Sequence, residues 1–206
     1  EREDPRDVLI SRHGNSIAAL PKGAVVGSAS LRRQAQLLAQ RPDLKVVTLR
    51  GNVGTRLAKL AAGDADATLL ALAGLKRLGK AEVASAILDM TEMLPAVAQG
   101  AIGLEIRATD RRMRDLLSPL HHTATEAAVL AERACLAELE GSCRTPIAAH
   151  ARIGADGLLH LTALVAKPDG SKVHRDSRIG PVADATRLGV EAGRALKSLA
   201  GPDFLA

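Results

Sequence analysis

Short apolar runs alternate with stretches of helical periodicity in the first half of the chain. Each run lies between polar, Gly or Pro residues, which is typical of buried strands. The pattern predicts strands at 8–10, 24–27, 45–49 and 67–73, and helices at 31–40, after 56 and from 74. Strands that alternate with helices indicate an α/β domain with a mainly parallel sheet, whose strand ends and helix starts share one rim.

The pattern becomes antiparallel after residue 143. Apolar runs at 149–153, 158–166 and 172–179 are separated by the turn signals Ala155-Asp156-Gly157 and Lys167-Pro168-Asp169-Gly170. A last helix is predicted at 184–199, weakened by two glycines. Its predicted buried stripe is Leu188, Ala192, Ala195 and Leu199. Together with a preceding helix, these elements form a small α+β domain.

That preceding helix stops next to a cysteine. Thr123-x-x-Glu126 is a capping box, which predicts the start of the helix. Its predicted apolar face consists of Leu130, Ala131, Ala134, Cys135 and Leu139. Gly141 tolerates the left-handed turn that closes a helix, and Pro146 prevents its resumption. From spacing alone, Cys143 fits either a small buried residue or a thiol at a cleft, whereas Cys135 fits a core position.

Basic residues follow each predicted strand at the shared rim. Arg32 and Arg33 occupy the first turn of a helix, where positive charge opposes the helix dipole. A bound anion would explain them, because free backbone N–H groups at a helix start favour negative charge. The corresponding residues of the next two loops are Arg50, Arg56, Lys76 and Arg77. Since arginine suits carboxylates, the three loops predict an anion site, with a solvated basic surface as the alternative.

Composition narrows the classes of function. The 206 residues are 47% apolar and 25% charged, which fits one large or two small globular domains. The net charge of +5 favours acidic partners. Nucleic acid is not favoured, because Phe204 is the single aromatic residue of the sequence and no DNA-binding motif occurs. No zinc-ligand spacing, apolar membrane span or signal peptide is visible, and two cysteines suit a reducing cytoplasm.

The run from Glu132 to Ala148 resembles the cofactor-attachment signature of the porphobilinogen deaminase (hydroxymethylbilane synthase) family. That signature combines a Glu-Arg pair, an apolar helix, Gly-small-Cys and a following Pro. Cys143 is the matching cysteine, so the resemblance implies a dipyrromethane cofactor bound covalently through its sulfur. Ser142 stands where the family commonly has Gly, which leaves the thiol in place.

Three further motifs resemble the second domain of that family, namely those at 26–34, 49–57 and 73–78. Where the family often has Thr-Ser-Ser, this chain has Ser28-Ala29-Ser30. The resemblance implies that Ser28, Ser30, Arg32, Arg33, Arg50, Asn52 and Gly74 bind the cofactor, and that Arg50, Arg56, Arg77 and Gln99 bind the substrate. The arginines would neutralise the acetate and propionate groups of the cofactor and the growing pyrrole chain.

The resemblance runs from Glu1 to about Leu199 and implies the family's second and third domains. The implied fold is a periplasmic-binding-protein-like parallel or mixed sheet domain followed by a small α+β domain. The expected divisions are a crossing segment at 1–7, an arginine-rich cleft domain at 8–94, a return segment at 95–120 and the cysteine-carrying domain at 121–206. Residues 94–105 read as a loop that enters a strand, and the first domain is expected to be largely missing.

The implied reaction condenses four porphobilinogen molecules into hydroxymethylbilane with release of ammonia, in a cytoplasmic monomer. The family's catalytic aspartate lies in its first domain, and Asp64, Asp66 and Glu105 are not convincing substitutes. We therefore expect no activity from this chain alone, which detectable turnover would refute. The alternative is a non-enzymatic module that binds carboxylates on a solute-binding-protein-like fold, which explains the arginines but not Cys143.

Overall fold

The first part of the chain forms a mixed sheet with helices packed on its faces. The computed structural model describes residues 1–142, 145–201 and 204. The elements of this part are β1 (Asp7–Ser11), β2 (Val25–Gly27), α1 (Leu31–Gln40), β3 (Lys45–Val47), α2 (Val53–Ala62), β4 (Ala67–Ala71), α3 (Leu72–Arg77), a 3₁₀ turn (Ala81–Val83) and β5 (Ala86–Ile87). All the strands and helices predicted here from the pattern are present, with small shifts at their ends.

The strand order is β3-β2-β4-β1-β5. β2 pairs in parallel with β3 and β4, whereas β1 pairs antiparallel with β4 and β5. The prediction of a mainly parallel sheet is therefore right for the strands joined through α1 and α2 and wrong for β1. The crossover rule fixes the direction of strands joined by a helix, and β1 precedes the first crossover.

The polypeptide between the sheet domain and the next helix is largely irregular. It contains α4 (Arg111–Leu117), which Asp110 caps through its side chain, and a 3₁₀ turn at Ser118–Leu120. The strand expected after residue 100 is absent: residues 101–107 adopt no strand and pair with none of the strands in the described part of the chain. Ile102 and Leu104 are 75% and 57% exposed. An extended segment whose backbone groups find no neighbour does not form a sheet.

The last part of the chain is the expected small α+β domain. Its elements are α5 (Thr123–Glu138), β6 (Ile147–Ile153), β7 (Leu159–Ala166), β8 (Val173–Gly180), a 3₁₀ turn (Val182–Asp184) and α6 (Ala185–Ala200). The strands form an antiparallel sheet in the order β6-β7-β8, and both helices pack on one of its faces. The helix start was predicted within one residue, but the cap is His122, whose Nδ1 accepts the Thr125 N–H at 3.2 Å.

Details of the two helices differ from the apolar stripes predicted for them. Leu130 is 45% exposed and Leu199 is 53% exposed, while Leu196 is fully buried. The left-handed residue at the end of α5 is Glu140, with φ 53°, not Gly141. Gly189 does more than weaken α6, because a Cβ there would collide with the Ala131 carbonyl oxygen of α5. Small residues thus allow the two helices to approach closely.

The turn between β7 and β8 joins the two parts of the molecule. Gly170 lies against α1, where a Cβ would meet the backbone nitrogen of Ala39 and lie 2.7 Å from the carbonyl carbon of Leu38. Gln34 donates to the Pro168 carbonyl at 3.1 Å. An apolar cluster continues this contact through Ala35, Leu94, Ala148, Leu164 and Ala166. The α+β domain is therefore held directly on α1, whose first turn carries Arg32 and Arg33.

Gly170→Ala is expected to loosen this contact. Gly157→Ala is a matched control, because Gly157 has φ 75°, Gly170 has φ 73°, and nothing lies within 4 Å of a Cβ at Gly157. Both variants bear the cost of a left-handed alanine, but Gly170→Ala also overpacks α1, which costs about 1 to 3 kcal/mol more. Urea unfolding of both variants measures the difference, and equal destabilisation would contradict the contact.

Candidate functional site

Arg32 and Arg33, called the arginine pair below, lie buried at the start of α1. Arg32 Nη1 donates to Asp7 Oδ2 at 2.7 Å and to the Leu94 carbonyl at 2.6 Å. Arg33 Nη2 donates to Asp7 Oδ1 at 2.8 Å, and its Nη1 donates to the Leu69 carbonyl at 3.0 Å. Because both side chains are buried, a solvated basic surface does not describe them.

The arginine pair carries more positive charge than Asp7 neutralises. Burial alone would raise the pKa of Asp7, but the charges and hydrogen bonds of Arg33 and Arg32 hold it below its usual value. Burial lowers the pKa of Arg32, with Asp7 opposing and Arg33 adding to this effect. Within the described residues, Arg33 Nε is buried and has no hydrogen-bond partner. A buried donor without a partner is costly, and a carboxylate oxygen would satisfy it.

The other predicted arginines are distributed around this pair. Arg56 is half-buried at the start of α2, and its Nε donates to the Gly51 carbonyl at 2.8 Å. Burial and the charge of Arg33 both lower the pKa of Arg56. The guanidinium group of Arg56 therefore lies close enough to that of Arg33 to be affected by its positive charge. Arg50 and Arg77 are exposed. The structure thus groups Arg56 with the arginine pair and leaves Arg50 and Arg77 at the solvent boundary.

The predicted polar residues form the caps and turns beside the arginines. Ser30 caps α1 by accepting the Arg33 N–H at 3.4 Å, and Asn52 caps α2 by accepting the Thr55 N–H at 2.9 Å. Ser28 is buried, and its Oγ accepts the Ser30 N–H at 3.2 Å. Gly74 lies in α3, where a Cβ would meet nothing within 4 Å. The two caps therefore orient the helix starts that carry the arginines.

Gln99 lies beside the arginine pair. Its Nε2 donates to Asp7 Oδ1 at 2.9 Å and to the Pro5 carbonyl at 2.6 Å, while its Oε1 accepts from Arg32 Nη2 at 3.5 Å. Gln99 lies in the predicted return segment at 95–120, and Pro5 lies in the predicted crossing segment at 1–7. One side chain therefore ties both connections to the arginine pair.

Glu132 is an important residue whose contacts the sequence did not reveal. It is fully buried, and its carboxylate accepts from Arg2 Nη1 at 2.6 Å, the Ala98 N–H at 2.6 Å and the Ala151 N–H at 2.8 Å. Burial raises the pKa of Glu132, and Arg2 only partly opposes this. Its helical spacing from the buried Ala128 and Cys135 was the available signal. Glu132 joins both connecting segments to the α+β domain.

His150 makes the stability of this region sensitive to pH. It is 9% exposed, and burial together with the charges of Arg2 and Arg152 lowers its pKa from 6.5 to about 4, against the opposing charge of Asp4. Below pH 6.5 the unfolded chain gains a proton that the folded protein does not accept until about pH 4. Stability is therefore lost as the pH falls through this interval, by about 2 to 3 kcal/mol.

His150→Gln tests this, because glutamine does not titrate. Urea unfolding at pH 7 and at pH 4 is expected to show a smaller loss of stability on acidification in the variant than in the parent protein. Carboxylates elsewhere titrate equally in both proteins, so they cancel in the comparison. An identical loss in the two proteins would assign the acid sensitivity to other groups.

Cys135 is a core cysteine of the α+β domain. It is fully buried on α5, and burial, with the charge of Asp176, raises its thiol pKa to about 12. Its burial confirms the core position predicted for Cys135. A buried thiol with a raised pKa is also a poor nucleophile. Cys143, the predicted attachment site, lies outside the described residues.

The described residues contain neither a metal-binding cluster nor a membrane-spanning helix. No group of His, Cys, Asp or Glu side chains there is arranged to hold a metal ion. No helix there is long and apolar enough to cross a membrane. The buried arginine pair is the strongest candidate site in the part of the chain that the structure describes, because Arg33 Nε is buried there without a hydrogen-bond partner.

Comparison with known proteins gives matches over nearly the whole chain. The family model "Porphobilinogen deaminase, dipyromethane cofactor binding domain" matches residues 1–115, and "Porphobilinogen deaminase, C-terminal domain" matches residues 126–198. A chloroplastic porphobilinogen deaminase of Oryza sativa subsp. japonica is 55% identical over 98% of this chain and 57% of its own length. Porphobilinogen deaminases of Nitrobacter hamburgensis and Nitrobacter winogradskyi are 52% identical over 98% of this chain and 64% of their own length. The chain thus spans 57% to 64% of these relatives.

Proposed function

This chain belongs to the porphobilinogen deaminase family, and we propose on that premise that the protein containing it condenses porphobilinogen into hydroxymethylbilane. Four porphobilinogen molecules join head to tail, and each step releases ammonia. The growing chain is built on a dipyrromethane primer bound through Cys143. The observation that carries the proposal is the buried arginine pair with its unpartnered Nε, within the part of the chain that matches the cofactor-binding domain.

The residues present suit a cofactor and a substrate that carry several carboxylates. Arg33 Nε is a buried donor without a partner among the described residues, and Arg56 lies in the same positive field. A carboxylate between these two side chains gains charge-assisted hydrogen bonds with both of them. The cofactor supplies the pyrrole to which the next unit is joined. Arg50 and Arg77, at the solvent boundary, suit the carboxylates of the incoming substrate and the lengthening product.

The contribution of this chain to the reaction is binding and orientation. Ser30 and Asn52 hold the two helix starts, so the arginines are fixed before the ligand arrives. Gln99 presents its amide to Asp7 and Arg32 from the return segment, and in the proposed complex it also faces the ligand. Side chains that are already in position lower the activation barrier of the reaction. They hold the reacting pyrroles together and stabilise charge as it develops in the transition state.

The proposal has structural and cellular corollaries. Residues 8–94 form the cleft domain, with a periplasmic-binding-protein-like arrangement in which ligands meet the carboxyl ends of the parallel strands. Residues 121–206 carry the cofactor, and the segments at 1–7 and 95–120 connect these domains to the rest of the enzyme.

We place the protein in the cytoplasm as a monomer, which suits a free buried thiol at Cys135. A non-enzymatic carboxylate-binding module is not favoured, since the matched relatives are named as deaminases.

The test is to incubate the protein, purified from the cells that make it, with porphobilinogen. Ammonia release and mass additions at the Cys143 peptide are followed together. The proposal expects both, with additions in steps of one pyrrole unit. A folded protein that binds porphobilinogen but neither gains mass at Cys143 nor releases ammonia would instead be the carboxylate-binding module.

A further inference from the structure

Asp7 is the one carboxylate that contacts both members of the arginine pair in the described residues. It is fully buried at the start of β1, and the register of β1 with β4 places it opposite Ala71. Each of its oxygens accepts from a different guanidinium group, at 2.7 Å for Arg32 and 2.8 Å for Arg33. The Asp7 carboxylate therefore lies between the two guanidinium groups and gives each of them a fixed hydrogen-bond partner.

The charges of these three residues do not cancel. Two guanidinium groups and one carboxylate leave a net charge of +1, in a site from which water is largely excluded. Adjacent buried arginines without a counter-charge would repel each other, and each would be held mainly by the backbone carbonyl that it contacts, Leu94 for Arg32 and Leu69 for Arg33. With Asp7 in place, Arg33 Nε still lacks a partner among the described residues, so the site keeps an unused donor for an anion.

We propose that Asp7 is a positioning residue that orients the arginine pair and reduces its charge from +2 to +1 for the reversible binding of carboxylates. This inference rests on the proposed function for the identity of the ligand, but the orientation itself is independent of it. Asp7 touches the arginines and Gln99, and acts on the ligand through them.

The orientation is tested without any ligand, by arginine-selective labelling of the folded chain with phenylglyoxal and peptide mapping. In Asp7→Asn, the amide nitrogen cannot accept from Arg32, so labelling of Arg32 and Arg33 should rise several-fold relative to Arg50. Asp7→Glu keeps the charge but moves the carboxylate, and should raise the same labelling. Asp43→Asn is the matched control, because Asp43 holds Arg41 at 2.7 Å on the surface, away from the pair.

The charge is tested by porphobilinogen binding in a Cys143→Ser background, in which no thioether can form. Binding is measured by calorimetry over a series of NaCl concentrations. Asp7→Asn is expected to make the salt dependence about twofold steeper, because the site charge doubles, while Asp7→Glu should leave it unchanged. A role in folding alone would lower the unfolding temperature without changing this dependence.

Each outcome decides a separate point. Unchanged labelling in Asp7→Asn, or an equal rise at Arg41 and Arg50, would overturn the positioning role. An unchanged salt dependence would overturn the role of charge. If porphobilinogen binds none of these Cys143→Ser proteins, the role of charge in ligand binding is overturned. The proposed function is decided separately by ammonia release from the protein with Cys143 intact, and the labelling result decides whether Asp7 orients the arginine pair.

Discussion

In the protein that contains this chain, replacing Cys143 by serine is expected to abolish covalent loading of the cofactor and to reduce the proposed hydroxymethylbilane formation to background. A serine hydroxyl is a far weaker nucleophile than a thiolate, so it does not form the bond to the primer. Intact mass and peptide mapping of protein purified from cells measure loading, and turnover of porphobilinogen measures activity. The parent protein is expected to carry the mass of two linked pyrroles on the peptide that contains Cys143.

Cys135→Ala provides the matched control for this experiment. The Cys135 thiol is fully buried with a pKa raised to about 12, so it cannot replace Cys143 as the attachment site. The control should keep its adduct, and it should lose stability by about 1 kcal/mol through the small cavity it creates. An adduct that persists in Cys143→Ser, or that disappears in Cys135→Ala with the fold intact, would place the attachment elsewhere.

Glu132→Gln is expected to lower the free energy of unfolding by about 3 to 5 kcal/mol, a large part of the stability of a typical domain. The carboxylate accepts from Arg2, Ala98 and Ala151, and these three donors converge on it from three segments of the chain. An amide nitrogen in its place would face one of those donors with another donor. It would also leave the Arg2 guanidinium, with its 10% exposed side chain, without a counter-charge. Urea unfolding measures the loss.

Glu191→Gln is the matched control for Glu132→Gln. Glu191 is paired with Arg187 on the solvent side of α6, where its side chain is 40% exposed, and an ion pair of this kind contributes at most about 1 kcal/mol. Hydrogen exchange adds a local measurement, since in Glu132→Gln one of the two amides, that of Ala98 or that of Ala151, loses its acceptor and should exchange faster. Similar unfolding energies for the two variants would show that Glu132 does not hold the segments together.

The order and type of the elements could be predicted from the sequence because they depend on local patterns. α1 occupies Leu31–Gln40 as predicted, since its apolar spacing and its Ser30 cap lie within a dozen residues of one another. The sequence shows basic residues after the predicted strands. Their location at one rim could also be predicted, because a crossover connection brings the ends of the strands that it joins to the same edge of the sheet. Cys143 was predicted to be the attachment cysteine because its surroundings resemble a family motif, and it lies outside the described residues.

The partners of those side chains were decided by the tertiary structure. Asp7 is 25 residues from Arg32 in sequence, and Glu132 is 130 residues from Arg2. No local period marks such pairs, so the sequence placed Asp7 in a crossing segment at 1–7 and the arginine pair in an anion site, without predicting the contact between them. β1 runs antiparallel for the same reason, because its direction depends on where the crossing segment delivers the chain.

Local patterns in the sequence thus predicted which segments become strands and helices and which loops carry positive charge, while Cys143 as the cofactor's cysteine stays a prediction from the family resemblance. Each of these depends on neighbouring residues and on their hydrogen bonding or periodicity. The long-range contacts came from the tertiary structure alone: one buried carboxylate, Asp7, contacts both members of the arginine pair, and another, Glu132, contacts Arg2, Ala98 and Ala151. A buried charge must find its partner wherever the fold brings one within hydrogen-bonding distance, and that position is a property of the whole chain.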